Sequence, residues 1–247
     1  MTTNLFPVAI ALASLTCGAV AQKAAPAPSA PPTMHEVAPG IFEIGRIRLD
    51  QKALTVSFPG AVNMSRGLLE YLIVTPQGAK HESLLVSDVP PSEIHLAMLL
   101  MGAKGSGEQP GKKTAPPAQI DAEFLRTAPK LNGDSVFITM KWKDGNTEKT
   151  GFVEDWLVNE RTKKPVEHGP WIYNGSILYE GHFLAQSEGS IGALVTNPVA
   201  LINNPREGSD DDQVWLVNEN AVPAVKTPVE ITIRLEKPTV APSPEKK

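Results

Sequence analysis

Cysteine is the scarcest chemistry in this chain: one residue, Cys17, in 247. It lies in an apolar opening segment that reads as a leader. A processed chain would therefore have no disulfide, no thiolate nucleophile and no cysteine-held zinc, haem or iron–sulfur group. Charge of one sign is also missing. Lys and Arg number 23 against 27 Asp and Glu, for a net charge of −4. The basic residues are scattered, which argues against a nucleic-acid footprint. No apolar run after the opening segment approaches the length of a membrane-spanning helix. GxSxG, a P-loop and a dinucleotide fingerprint are all absent. Gly105-Ser106-Gly107 and Gly189-Ser190-Ile191-Gly192 contain serine without that context.

What is present begins with the opening segment. Residues Leu5 to Cys17 are apolar, and Ala19-Val20-Ala21 supplies the small-x-small pattern of a signal-peptidase site before Gln22. No Lys or Arg precedes the apolar run. The segment reads as a signal peptide cleaved after Ala21, which places the protein in the periplasm or outside the cell. Lipidation of Cys17 is the alternative. It is disfavoured because Thr16 and Ser14 stand where a lipoprotein signal carries a small residue and a leucine.

Three stretches read as lacking regular structure: a Pro/Ala-rich linker at 22–35, a Gly/Pro-rich internal loop at 103–119, and a tail at 237–247. Between them, residues 36–236 read as a single domain. Most of it has strand character. IGRIRLD and ALTVSFP flank a hairpin turn at Asp50-Gln51-Lys52, and LLEYLIVTP and AKHESLLVS flank Gln77-Gly78, a second hairpin signal. In SVFITMKWK, Val136, Ile138, Met140 and Trp142 share one face, and Asp144-Gly145-Asn146 turns the chain into KTGFVED. SIGALVT, QVWLVN and VEITIRLE are further strands.

PPSEIHLAMLLMGAKG reads as a helix over about 91–102, with prolines at its start and Gly102 at its C-terminal cap. It is apolar on nearly every side, so burial between layers is expected. ALINN after Pro198 reads as a second short helix. The expected fold is α+β and mainly β: a curled sheet or sandwich-like domain with one buried helix packed on it. DWLVNE (155–160) and VWLVNE (214–219) echo each other at a spacing of 59. A duplicated strand and two strands with similar core demands explain that echo equally well.

The blocks SFPGAVNMSRGLLEYLIVTPQGAKHESLLVSDVPPSEIHLAMLLMGAKG and GPWIYNGSILYEGHFLAQSEGSIGALVTNPVALINNPREGSDDDQVWLVN resemble the YdjY family of exported bacterial proteins. The resemblance covers most of 36–236 and implies no particular activity or substrate. The cysteine clusters of some relatives, which suggest a ferredoxin-like role, have no counterpart after Cys17.

Three sets of residues are candidates for chemistry. His81, Glu82 and His95 carry the donor types of a cysteine-free metal site or an acid–base pair. His81 and Glu82 are adjacent in a strand, so only one of them faces the helix bearing His95. In the hairpin register Glu70 lies roughly 13 Å from Val74, the residue opposite His81, at about 3.3 Å per residue. A structural role, docking the helix on the sheet, is the competing account. Asp210, Asp211 and Asp212 suggest a weak calcium loop, against a plain solvated loop. Trp171, Tyr173 and Tyr179 suggest an aromatic surface for a sugar or peptide, against core packing. His35, His168 and His182 show no ligand spacing. The expectation is a non-enzymatic envelope module that binds a protein partner or small ligand, with no cofactor. A metal-binding or hydrolase-type protein using His81, Glu82 and His95 is the alternative, and a structural envelope domain is a third.

Overall fold

A computed structural model describes residues 33–106, 131–179 and 181–236, and the stretch from Pro32 onward forms one compact unit. The leader at 1–21, most of the linker, residues 107–119 of the internal loop and the tail at 237–247 lie outside the described residues. The last residues assigned to the linker do not: strand β1 (Met34–Ala38) starts inside it. Among the described residues no helix is long and apolar enough to cross a membrane.

The expected sandwich does not form. The sheet closes on itself as an eight-stranded barrel. In spatial order its strands are β4 (Thr55–Val62), β17 (Pro228–Leu235), β7 (Asp134–Asp144), β11 (Trp171–Tyr173), β15 (Ile202–Asn203), β14 (Ser190–Ala193), β5 (Tyr71–Val74) and β6 (Ser83–Val86). The ring shuts where β6 returns to β4, with Ala61 opposite Val86 and Val62 opposite Leu85. Closure removes the sheet edges that a sandwich leaves open.

Alternation explains the wall. Val229, Ile231, Ile233 and Leu235 of β17 and Val136, Ile138 and Met140 of β7 are buried in one apolar cluster. Their neighbours face out and pair across strands. Ser57 shares a 2.8 Å hydroxyl bond with Thr232, Lys141 meets Glu230 at 3.1 Å, and Arg234 lies over Phe137. Two expected hairpins are present: β3 (Ile47–Asp50) with β4, and β7 with β8 (Thr147–Phe152) through Gly145-Asn146. Strands β1, β2 (Ile41–Ile44) and β3 extend the wall as a meander from β4.

Strand β4 changes partners midway. Thr55–Ser57 pair with β3, and Ala61 and Val62 pair with β6. Pro59, which has no N–H to donate, and Gly60 lie at the changeover.

The expected hairpin at Gln77-Gly78 is absent. Strands β5 and β6 run parallel, with Tyr71 opposite Ser83 and Val74 opposite Val86. Strand β14 already occupies one edge of β5 in antiparallel pairing, and β6 must also lie antiparallel to β4 to close the ring. The turn folds under instead. Thr75 N–H donates to the Gly189 carbonyl at 2.7 Å, and a Cβ on Gly78 would meet that same carbonyl at 2.8 Å. The chain then returns through a 3-10 turn, Lys80–Glu82. Likewise ALINN is not helical. It forms β15, whose Asn203 side chain is bonded to Asn197 N–H and to Asn174 in a buried amide network.

Helix α1 (Pro91–Leu100) is the only helix of seven or more residues among those described. It does not lie between two layers. Pro91, Ile94, Ala97 and Met98 are buried, while Leu96, Leu99 and Leu100 are 40–44% exposed on its other side. Most of its contacts are with β3, β4 and the short helix α2 (Leu184–Glu188). Gly102, at φ +99°, ends it as expected, with Ala103 N–H closing on the Met98 carbonyl.

Candidate functional site

The parallel register of β5 and β6 rearranges the first candidate set. His81, with its side chain 81% exposed, has Nε2 3.5 Å from Glu82 Oε2. Glu70, displaced by the hairpin register, instead lies beside Glu82 and donates its N–H to the Glu82 carbonyl at 3.0 Å. Burial raises the Glu70 carboxyl above its ordinary value, with Glu82 and Asp212 adding to the rise and His81 opposing it. Asp212 of the second candidate set thus faces the same acidic neighbourhood. Asp211 turns elsewhere, to Arg161 at 2.5 Å. Asp210 is exposed. Among the described residues no three His, Cys, Asp or Glu side chains are grouped to hold a metal ion.

His95 joins neither His81 nor Glu82 by any hydrogen bond. Its Nδ1 is 2.7 Å from the Tyr173 hydroxyl, and its ring packs on Phe183 at 4.9 Å. Burial lowers the His95 imidazole and raises the Tyr173 phenol, whose rise the nearby Asp134 reinforces. Both groups are neutral at pH 7 and one proton serves the bond between them. This contact pins α1 to barrel strand β11. Tyr173 and Trp171 of the proposed aromatic surface are fully buried, so neither presents a face to solvent. Tyr179, in strand β12 (Leu178–Tyr179), is half-buried beside β13 (His182–Phe183).

The most developed polar site lies elsewhere, beside a small sheet of β9 (Leu157–Asn159), β10 (Lys164–Pro165) and β16 (Trp215–Val217). Strands β9 and β16 are the two echoed segments, and they pair with each other: Leu157 opposite Val217, Val158 opposite Leu216, Asn159 opposite Trp215. Just before β9, a 3-10 turn (Val153–Trp156) carries Glu154, only 1% exposed. Its Oε1 accepts from Arg206 Nη2 at 2.6 Å and from the Trp171 indole N–H at 2.9 Å. Arg206 also donates to the carbonyls of Glu167 and Gly169 and to Asn204 Oδ1, and it stacks 5.0 Å from the Trp171 ring centroid. A buried carboxylate thus keeps a half-buried guanidinium in one orientation.

Arg206 and the fully buried Trp215 line a cleft of about 630 Å³, together with Asn159, Lys164, Pro165 and Pro170. The indole N–H of Trp215 is buried and has no hydrogen-bond partner among the described residues, and the same holds for Glu154 Oε2. Burying a donor without a partner costs about 1–3 kcal/mol. Asn159 spends its side-chain oxygen on the N–H groups of Arg161 and Thr162. No salt bridge among the described residues includes Lys164. His168, also at this cleft, is held by Asp155 at 2.7 Å. Sequence reasoning singled out none of Asn159, Lys164, Glu154 and Arg206. Asn159 left a trace in the echoed DWLVNE segment, and Glu154 as one of two acids, with Asp155, between Val153 and Trp156.

A family model described as the YdjY domain matches residues 47–234, from β3 through the next-to-last residue of β17. No curated protein matches the chain, and no solved structure does.

Proposed function

The chain belongs to the YdjY domain family, and from that premise we propose that it is an exported, non-enzymatic envelope module that binds a ligand in the Trp215–Arg206 cleft. One observation carries the binding assignment: a cleft of about 630 Å³, large enough for a small ligand, whose wall includes Arg206 held in one orientation by the buried Glu154. A rigid ion pair beside it supplies fixed geometry. Export rests on the apolar segment and the Ala19-Val20-Ala21 pattern.

Two measurements test this. Fractionation of cells expressing the full chain, with N-terminal mass analysis, is expected to find envelope protein beginning at Gln22; full-length protein retained in the cytoplasm overturns export. For binding, the indole ¹⁵N–¹H peak of Trp215, assigned with Trp215→Phe, is followed while benzoate, benzamide or benzyl alcohol is added. Movement of that peak with at least one probe supports the cleft as a ligand site. No movement with any of them overturns it.

A further inference from the structure

We propose that Asn132-Gly133 is a self-modifying site, where the asparagine converts in water to aspartate and isoaspartate without an enzyme. Two asparagines of the chain precede a glycine, Asn132 and Asn174. Every other one is followed by a residue whose side chain or proline ring crowds the next backbone nitrogen. The fold separates the two. Asn174 is 5% exposed. Its Nδ2 donates to the Pro198 and Ala200 carbonyls at 2.9 and 3.0 Å, its Oδ1 accepts from Asn203, and the Gly175 N–H is spent on the Leu201 carbonyl. Neither reacting group is free to turn. Asn132 is exposed and lies outside any regular element. Its Oδ1 accepts from the Gly133 N–H at 2.9 Å, so the side-chain amide already lies against the nitrogen that attacks it.

In the reaction a solvent base takes the Gly133 amide proton, and the nitrogen bonds to Asn132 Cγ. The Cγ–Nδ2 bond breaks, and Nδ2 leaves as ammonia with a proton from water. The succinimide that remains takes up one water at either of its carbonyls, giving aspartate or isoaspartate. The fold itself fixes the glycine: a Cβ at position 133 would collide with the Tyr173 carbonyl, so no side chain there shields the nitrogen. Isoaspartate inserts an extra backbone carbon just ahead of that contact. The β7–β11 pairing begins at this point, with Asp134 opposite Tyr173. Asp134 Oδ2 also holds the Lys104 and Gly105 N–H groups at 2.6 and 2.8 Å, and the new carboxylate adds like charge close by.

The test incubates the whole folded protein at pH 8.5 in heavy-oxygen water and maps its peptides by mass. Asn132 is expected to convert, with heavy oxygen taken up in both acid products. Asn174 is expected to react at least about tenfold more slowly, because it must first open out of the fold. In urea the two should react at similar rates. Asn132→Gln, which keeps the amide on a longer side chain, should abolish conversion at this position without lowering the melting temperature. Equal rates at the two asparagines of the folded protein overturn the proposal. So does an unchanged Asn132 over the time in which the urea-unfolded chain reacts. The purified isoaspartate form is expected to melt a few degrees below Asn132→Asp, which carries the same charge without the extra backbone carbon. Equal melting points overturn the effect assigned to β7.

Discussion

Arg206 Nη2 and Glu154 Oε1 form an ion pair of 2.6 Å in which the carboxylate side chain is 1% and the guanidinium 17% exposed. The pair connects the 3-10 turn after β8 to the segment following β15, and Trp171 of the barrel wall completes it from the side. A charge so deeply buried is tolerated only with its partner in place.

Removing one member should therefore be far worse than removing both. Arg206→Met is expected to cost about 3–5 kcal/mol, because it leaves the Glu154 charge buried and uncompensated. The double change Arg206→Met with Glu154→Met should recover a large part of that loss. Thermal or urea unfolding of the cycle measures both. Additive losses would show that the pair acts as two independent contacts.

The His95–Tyr173 contact makes stability depend on pH from the acid side. Burial holds the folded imidazole below 6.5, so the unfolded chain binds a proton first as pH falls through that value. Stability is intact above 6.5 and is lost as pH drops towards the folded pKa. His95→Gln should flatten the fall in melting temperature between pH 7 and pH 5. Tyr173→Phe should destabilise by about 1–3 kcal/mol, leaving a buried ring nitrogen unpartnered. An unchanged pH slope in His95→Gln would rule out this histidine as its source.

Glu188 acts in the opposite direction. Burial raises its carboxyl above 4.5, with hydrogen bonds from Asn197 and Ser190 only partly offsetting the rise. Its contribution is complete below 4.5 and declines as pH rises through the folded pKa. Glu188→Gln should melt higher than the parent protein at pH 7 and show no such gain at pH 4. Equal melting points at pH 7 would show that the buried charge carries no cost.

Closure of the barrel has its own test at Gly60. A methyl group there would stand 2.7 Å from Ile231 Cδ1 and 3.0 Å from the Val86 carbonyl oxygen. Gly60→Ala is expected to lose about 1–3 kcal/mol through overpacking where β4 passes from β3 to β6. Hydrogen exchange should report the loss first at the β4–β6 pairing. Protection there equal to the parent protein would mean the seam yields without cost.

Local pattern decided much of this molecule. The alternation of Val136, Ile138 and Met140 set the buried face of β7, Gly145-Asn146 set its hairpin, and Gly102 ended α1 because a positive φ suits a residue without Cβ. The single cysteine, the family blocks and the pairing potential of DWLVNE and VWLVNE were also legible in the chain. What the sequence could not display was anything depending on contacts between distant segments. The turn at Gln77-Gly78 has hairpin chemistry, yet β14 and β4 claim the two edges that β5 and β6 present, and closure of the ring imposes parallel pairing. The same long-range order turned His95 to Tyr173 rather than to His81, and buried Trp171 and Tyr173 in the wall. It also brought Glu154 to Arg206 and Asn159 to Trp215, each pair separated by more than fifty residues. No periodicity encodes such meetings. They arise because a closed barrel leaves each strand fixed neighbours, and the side chains that meet there become a site.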